Sequence, residues 1–204
     1  MSFTWITLSL PLLLWSLLTV NIVQPPAVVS GDAPDSVAAI PGHGGGPHAD
    51  INWLPLEEAA RRAKMDGRKL YILLYAEDDA SSKRMEAYTL QDPNIVRYIN
   101  DNYYAARFDA ESRESVRING KVYRYEDGQH EFAAYVTHQS SVTYPTSVFM
   151  DSELELLQSI PNVIDRQHMH KILVYYGNDH HHEMPWARFS REYQQRQVRK
   201  GQEK

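Results

Sequence analysis

The run Lys-Leu-Tyr-Ile-Leu-Leu-Tyr at positions 69–75 constrains the fold of this chain more than any other segment. It is short for a helix, rich in aromatic and branched side chains, and uncharged after its first residue. A strand that is apolar at nearly every position has to be covered on both faces, so it belongs at the centre of a sheet with helices above and below. Its flanks supply such helices. Upstream, Trp53, Leu56, Ala59, Ala60 and Ala63 recur at three- and four-residue spacing. Glu57, Glu58, Arg61, Arg62 and Lys64 fall on the opposite face, and Gly67 ends the segment. Downstream, residues 80–90 read as a helix with Met85 and Tyr88 facing inward. Glu77, Asp78 and Asp79 lie just before it, where negative charge suits a helix N-terminus.

The same alternation continues along the chain. Pro93 opens a helix holding Ile95, Val96, Tyr98 and Ile99. Residues 103–111 alternate as a second strand, and 120–128 form a small hairpin or excursion. Residues 130–139 are helical, 146–151 a strand, and 153–160 its hairpin partner across a turn at Asp151 and Ser152. Residues 165–177 supply a further helix capped by Gly177. Beyond it, Tyr175, Tyr176, Trp186, Phe189 and Tyr193 are placed to pack a terminal helix onto the domain. The fold class is α/β, with a central mixed sheet flanked by helices.

The ends have different compositions. Residues 1–30 are apolar and uncharged over "ITLSLPLLLWSLLTVNIV", with Pro11 inside the run, and read as a signal peptide or membrane anchor. "MSFTW" contributes no basic side chain, and the small residues before Gly31 make the Ser30–Gly31 bond the expected cleavage point. Residues 31–50 are a Gly/Pro-rich flexible linker in which His43 and His48 are incidental. A folded domain is expected over 51–195 and a basic tail over 196–204, in an extracytoplasmic (periplasmic) protein that is soluble after cleavage or held by an uncleaved N-terminus. Of the net charge of -5, five acidic groups lie in residues 1–60 with no Lys or Arg among them, so the remaining body is neutral. A neutral, mixed-sign body is not a nucleic-acid-binding surface.

There is no cysteine in the chain. That excludes disulfides, thiolate nucleophiles and thiolate metal sites. Imidazole is the remaining strong metal donor. His168 and His170 are two residues apart on a helix and point to different sides. His180, His181 and His182 fall in an expected loop beside Glu183. No spacing closes a ligand set, so these three are weak metal candidates only, and no cofactor is expected.

Four stretches carry a family resemblance: "YILLYAEDDASSKRM", "DPNIVRYINDNYYAARFDAE", "HEFAAYVTHQSSVTYPTSVFMD" and "ELELLQSIPNVIDRQHMHKILVYYG". Together they resemble exported bacterial thioredoxin-like family proteins of the Bacteroidetes type. Those read as a strand, an acidic or aromatic lead-in, Cys-x-x-Cys, "K-x-M", and later "YPT-x-VF-x-D". Lys83 and Met85 match the "K-x-M" and set the register, so the two cysteine positions fall on Asp79 and Ser82. Asp79-Ala80-Ser81-Ser82 thus stands in place of the redox motif, and a carboxylate and a hydroxyl can neither attack nor resolve a disulfide.

The resemblance further implies that Pro145 follows a cis bond and that the Tyr144 backbone offers itself to an extended peptide, with Thr146 after it. The expectation is therefore a redox-inactive thioredoxin-fold protein that binds a polypeptide or partner protein outside the cytoplasm through Asp79, Tyr144, Pro145 and Thr146. The alternatives are a non-thiol enzyme using Asp79 and Ser82, which shows no recognisable base or oxyanion arrangement, and a histidine-based metal-binding protein.

Overall fold

The computed structural model describes residues 50–139 and 141–202. The signal or anchor segment, the linker up to residue 49 with His43 and His48, and the last two residues of the tail lie outside the described residues.

The apolar run forms β2 (Lys69–Tyr75), whose residues from Leu70 to Leu74 are all fully buried. It pairs in parallel with β3 (Tyr103–Asp109) and antiparallel with β8 (Thr146–Met150). A two-residue strand, β1 (Trp53–Leu54), extends the sheet in parallel beyond β3, and β9 (Leu156–Pro161) closes the other side antiparallel to β8. The order is β1-β3-β2-β8-β9, a five-stranded mixed sheet.

Strand pleating sorts the core into two layers. Leu70, Ile72, Leu74, Val148 and Met150 face one side, where α1 (Leu56–Asp66) presents Leu56, Ala59, Ala60 and Ala63, and α4 (Glu131–Thr137) presents Phe132, Ala133 and Val136. Tyr71, Leu73 and Phe149 face the other side. There α2 (Ala80–Tyr88) contributes Met85, α3 (Pro93–Asn102) contributes Ile95, Val96 and Ile99, and α5 (Arg166–Gly177) contributes Met169, Ile172 and Leu173. Phe149 is the hub of this second layer, with ring centroids 5.4 Å from Tyr71, 5.3 Å from Tyr176 and 6.2 Å from Tyr103.

Between β3 and α4 the chain makes two small hairpins, β4 (Val116–Ile118) with β5 (Lys121–Tyr123), and β6 (Tyr125–Glu126) with β7 (Gln129–His130). A short helix, α6 (His180–Glu183), leads into α7 (Trp186–Gln202). Phe189 of α7 is fully buried, with its ring 5.0 Å from Tyr175, and the Tyr193 hydroxyl lies 2.7 Å from His170 Nδ1.

Several local expectations are corrected. Trp53 lies in a strand, since Pro55 starts the helix only at Leu56. Tyr88 is 63% exposed, because α2 turns its inward face at Met85 and Ser82 and ends before another turn can bury a residue. His180–His182 form a helical turn in place of a loop. Gly177 closes α5 without a left-handed backbone, and its missing side chain has a packing reason: a Cβ there would sit 2.8 Å from the Tyr98 hydroxyl. The left-handed residue is Asp179, at φ 58°. α7 spans Trp186–Gln202 and so includes most of the basic residues 196–204. Among the described residues no helix is long and apolar enough to cross a membrane.

Because Phe149 joins three aromatic neighbours on a fully buried strand, Phe149→Ala is expected to cost about 3–5 kcal/mol of unfolding free energy. Urea denaturation checks this, and a loss below about 1 kcal/mol would show that the second layer closes around the gap.

Candidate functional site

β2 ends at Tyr75, and the chain turns through Ala76–Asp78 with the Asp79 amide donating to the Ala76 carbonyl at 3.1 Å. Asp79 has extended backbone angles and caps α2: its Oδ2 accepts the Ser82 amide at 2.5 Å. An aspartate at this position satisfies one of the free N–H groups of the first turn and places its charge at the positive end of the helix. Positions 79 and 82 are therefore the N-cap and the third residue of α2. Asp79 and Ser81 are half-buried, Ala80 is exposed, and Ser82 is 1% exposed.

The Ser82 hydroxyl has no hydrogen-bond partner among the described residues. This pocket suits a weakly polar atom better than a hydroxyl, which loses its hydration on burial and recovers nothing. The hydroxyl is enclosed, and no histidine is hydrogen-bonded to it or to Asp79 among the described residues. His130 is engaged elsewhere: its Nδ1 accepts the Phe132 amide, and its Nε2 lies 3.0 Å from the Glu114 carbonyl.

Across from this turn stands the loop before β8. The Tyr144–Pro145 bond is cis, Pro145 and Thr146 are buried, and the Thr146 hydroxyl donates to the Thr143 carbonyl at 2.6 Å. Tyr144 is half-buried. Among the described residues, its backbone N–H and C=O enter no hydrogen bond. Its phenol is pushed up to about 12, first by burial and then by the charges of Glu111, Asp109 and Asp79.

Asp109 and Glu111 are the residues that sequence reasoning missed. Parallel pairing sets Tyr75 opposite Asp109, so the acids at the end of β3 and just past it lie at the same edge of the sheet as the "EDD" that follows β2. The signal was present, in acids following both apolar strands, but only the parallel register makes it a cluster. Basic groups nearby are largely committed. Arg107 pairs with Glu86 at 2.7 Å and lies over the Tyr75 ring, and Arg113 lies over Tyr125. A cavity of about 420 Å³ adjoins the loop, lined by Glu111, Arg113, Tyr125, Gln129 and Tyr144 among others. Its polar walls and the carboxylates beside it suit a cationic or amide-bearing ligand.

The histidines separate into two groups. His168 Nδ1 lies 2.6 Å from Asp165 Oδ2, and His170 is half-buried between Tyr98 and Tyr193, which lowers its pKa through desolvation. His181 and His182 approach Asp179, whereas His180 turns away to Glu183 and packs against Phe189. Burial, then His182, lowers the His181 pKa.

Residues 52–152 match the family model described as thioredoxin-like. Among solved structures, the chain is similar to a thioredoxin from Thermus thermophilus, at 19% identity and a TM-score of 0.47, covering 61% of this chain and 85% of that one. It is also similar to a DsbH oxidoreductase, at 15% identity and a TM-score of 0.42, covering 65% and 83%. A third likeness is to a thioredoxin-fold protein from Helicobacter pylori, at 13% identity and a TM-score of 0.45, covering 62% and 80%. No curated protein is a significant match.

The enclosed Ser82 hydroxyl leads to a stability test. Ser82→Ala is expected to raise the unfolding free energy by about 1 kcal/mol, since it removes an unsatisfied hydroxyl and favours the helix. A loss of similar size in urea denaturation would reveal a partner for the hydroxyl.

The sheet order and the match over residues 52–152 show a thioredoxin-like α/β fold, in a chain that contains no cysteine.

Proposed function

We propose that this chain is a redox-inactive thioredoxin-like protein that binds extended polypeptide segments carrying Lys or Arg, in the groove between the first turn of α2 and the Tyr144–Pro145 turn. One observation carries the reading: the backbone N–H and C=O of Tyr144 are unpaired among the described residues, and the charges of Glu111, Asp109 and Asp79 act on its phenol. An extended peptide laid against Tyr144 gains main-chain hydrogen bonds as an added strand does, and its basic side chains reach the acids at the rim. The short contact buries little area and has to offset the ordering of the peptide, so the affinity is modest. With no cysteine, nothing in the chain forms or resolves a mixed disulfide. The reading includes an extracytoplasmic location, on the strength of the apolar first 30 residues.

The test is titration of Lys-containing and neutral nine-residue peptides against the wild type, Asp79→Asn and Glu111→Gln. Asparagine retains the capping oxygen, so Asp79→Asn removes charge while sparing the helix start. The double neutralisation is expected to weaken the Lys-containing peptide about tenfold at low salt, with the difference shrinking as salt rises. Equal binding by all variants, or no binding of any peptide, would remove this groove as the functional surface.

A further inference from the structure

The segment that joins α5 to α7 places donor atoms of Asp179, His181 and His182 within 4.8 Å of one another. From these residues we infer a divalent-cation site of the late first-row type, zinc being the natural probe, on the face opposite in function to the peptide groove and independent of it. Two imidazole nitrogens and one carboxylate oxygen are a donor set suited to such ions, and three protein ligands leave a position open to water or another ligand.

The backbone fixes two of the three ligands. The Asp179 amide donates to the Tyr176 carbonyl, and the His182 amide donates to the Asp179 carbonyl, so Asp179 and His182 stand at the two ends of one hydrogen-bonded turn. Asp179 adopts a left-handed conformation, at φ 58°, that Asp and Asn tolerate better than most residues. Lys69 binds Asp179 Oδ2 at 2.9 Å, which leaves Oδ1 directed at His182 Nε2, 4.0 Å away.

His181 supplies the independent observation. Both of its ring nitrogens are shielded from solvent and without a hydrogen-bond partner among the described residues. Its ring lies against Tyr176 at 5.3 Å and against His182 at 4.0 Å. Two shielded ring nitrogens without partners are costly, and a cation held by one of them together with His182 removes part of that cost. The site also lies just past the C-terminus of the twelve-residue helix α5, where the helix dipole favours positive charge.

Ligand atoms around a tetrahedral zinc stand roughly 3.3 Å apart, so closing the site requires a shift of about an ångström or two. The exposed His182 side chain is free to make it. Lys69 works against the cation. Its ammonium competes for the same carboxylate, and this sets the affinity in the micromolar range instead of the range of a structural zinc.

Zinc titration of the full-length chain against a chromophoric chelator tests the site. One equivalent is expected to bind, and His182→Ala and Asp179→Asn are each expected to weaken it at least about tenfold. The His182 side chain is largely exposed and Asp179→Asn keeps both the size of the side chain and its tolerance of the left-handed backbone, so both variants are expected to fold. Lys69→Gln is expected to tighten binding severalfold, and replacing both His43 and His48 by Ala to leave it unchanged. The inference is overturned if no zinc binds in the micromolar range, or if one ion binds as tightly to His182→Ala as to the wild type. A decline in binding that follows only the number of histidines removed, wherever they lie, would likewise mark adventitious binding and overturn it.

Discussion

β2 has neither an open edge nor an open face. β3 and β8 pair with its two sides, α1 and α4 cover Leu70, Ile72 and Leu74, and α3 and α5 cover Tyr71 and Leu73. Full burial of such side chains contributes about 1.5–3 kcal/mol each, so no other packing of this run competes with a central position. The position of the site depends on this constraint. With β2 fixed and β3 parallel to it, the C-terminal ends of both strands lie at one edge of the sheet. That edge carries the start of α2, Asp109 and Glu111, and open α/β sheets use the same edge for ligands.

At that edge the N-terminus of α2 meets a carboxylate in a chain without cysteine. A helix N-terminus lowers the free energy of a negative charge, and this effect makes a cysteine thiolate reactive near neutral pH. Here the charge belongs to the Asp79 carboxylate, held by the Ser82 amide. The same field that would activate a thiolate now anchors a cap. Ser82, the third residue of α2, sits in a pocket that offers its hydroxyl no partner among the described residues. The recognition proposed for Tyr144 needs no sulfur; it rests on an unpaired backbone and on the carboxylates near the Tyr144 phenol.

The main strands and helices from α1 to α5 were legible in the sequence, because Leu70–Leu74, Ala59–Ala63 and Ile95–Ile99 follow strand and helix periods without ambiguity, whereas the strand at Trp53 was read as helix. The cap at Asp79 was legible for the same local reason. Tyr88 misled, since its spacing from Met85 is helical but α2 stops before burying it. Gly177 misled because a glycine at a helix end suggests a left-handed cap, whereas here it makes room for Tyr98. The acidic cluster and the grouping of Asp179 with His181 and His182 were not legible. The first depends on a parallel register between strands more than thirty residues apart, and the second on a helical turn where the histidines read as loop.

We propose that Asp79 and Ser82 occupy, in a thioredoxin-like fold, the two places where redox chemistry would otherwise reside. The most direct measurement of this central claim is the insulin-reduction and thiol-titration behaviour of Asp79→Cys combined with Ser82→Cys, with the wild type alongside. The account predicts that the double variant folds, closes a disulfide on oxidation, and turns over dithiol substrate above a wild-type chain that stays at background. A folded double variant whose two thiols remain unreactive toward each other, or a wild-type chain that reduces insulin, would contradict it.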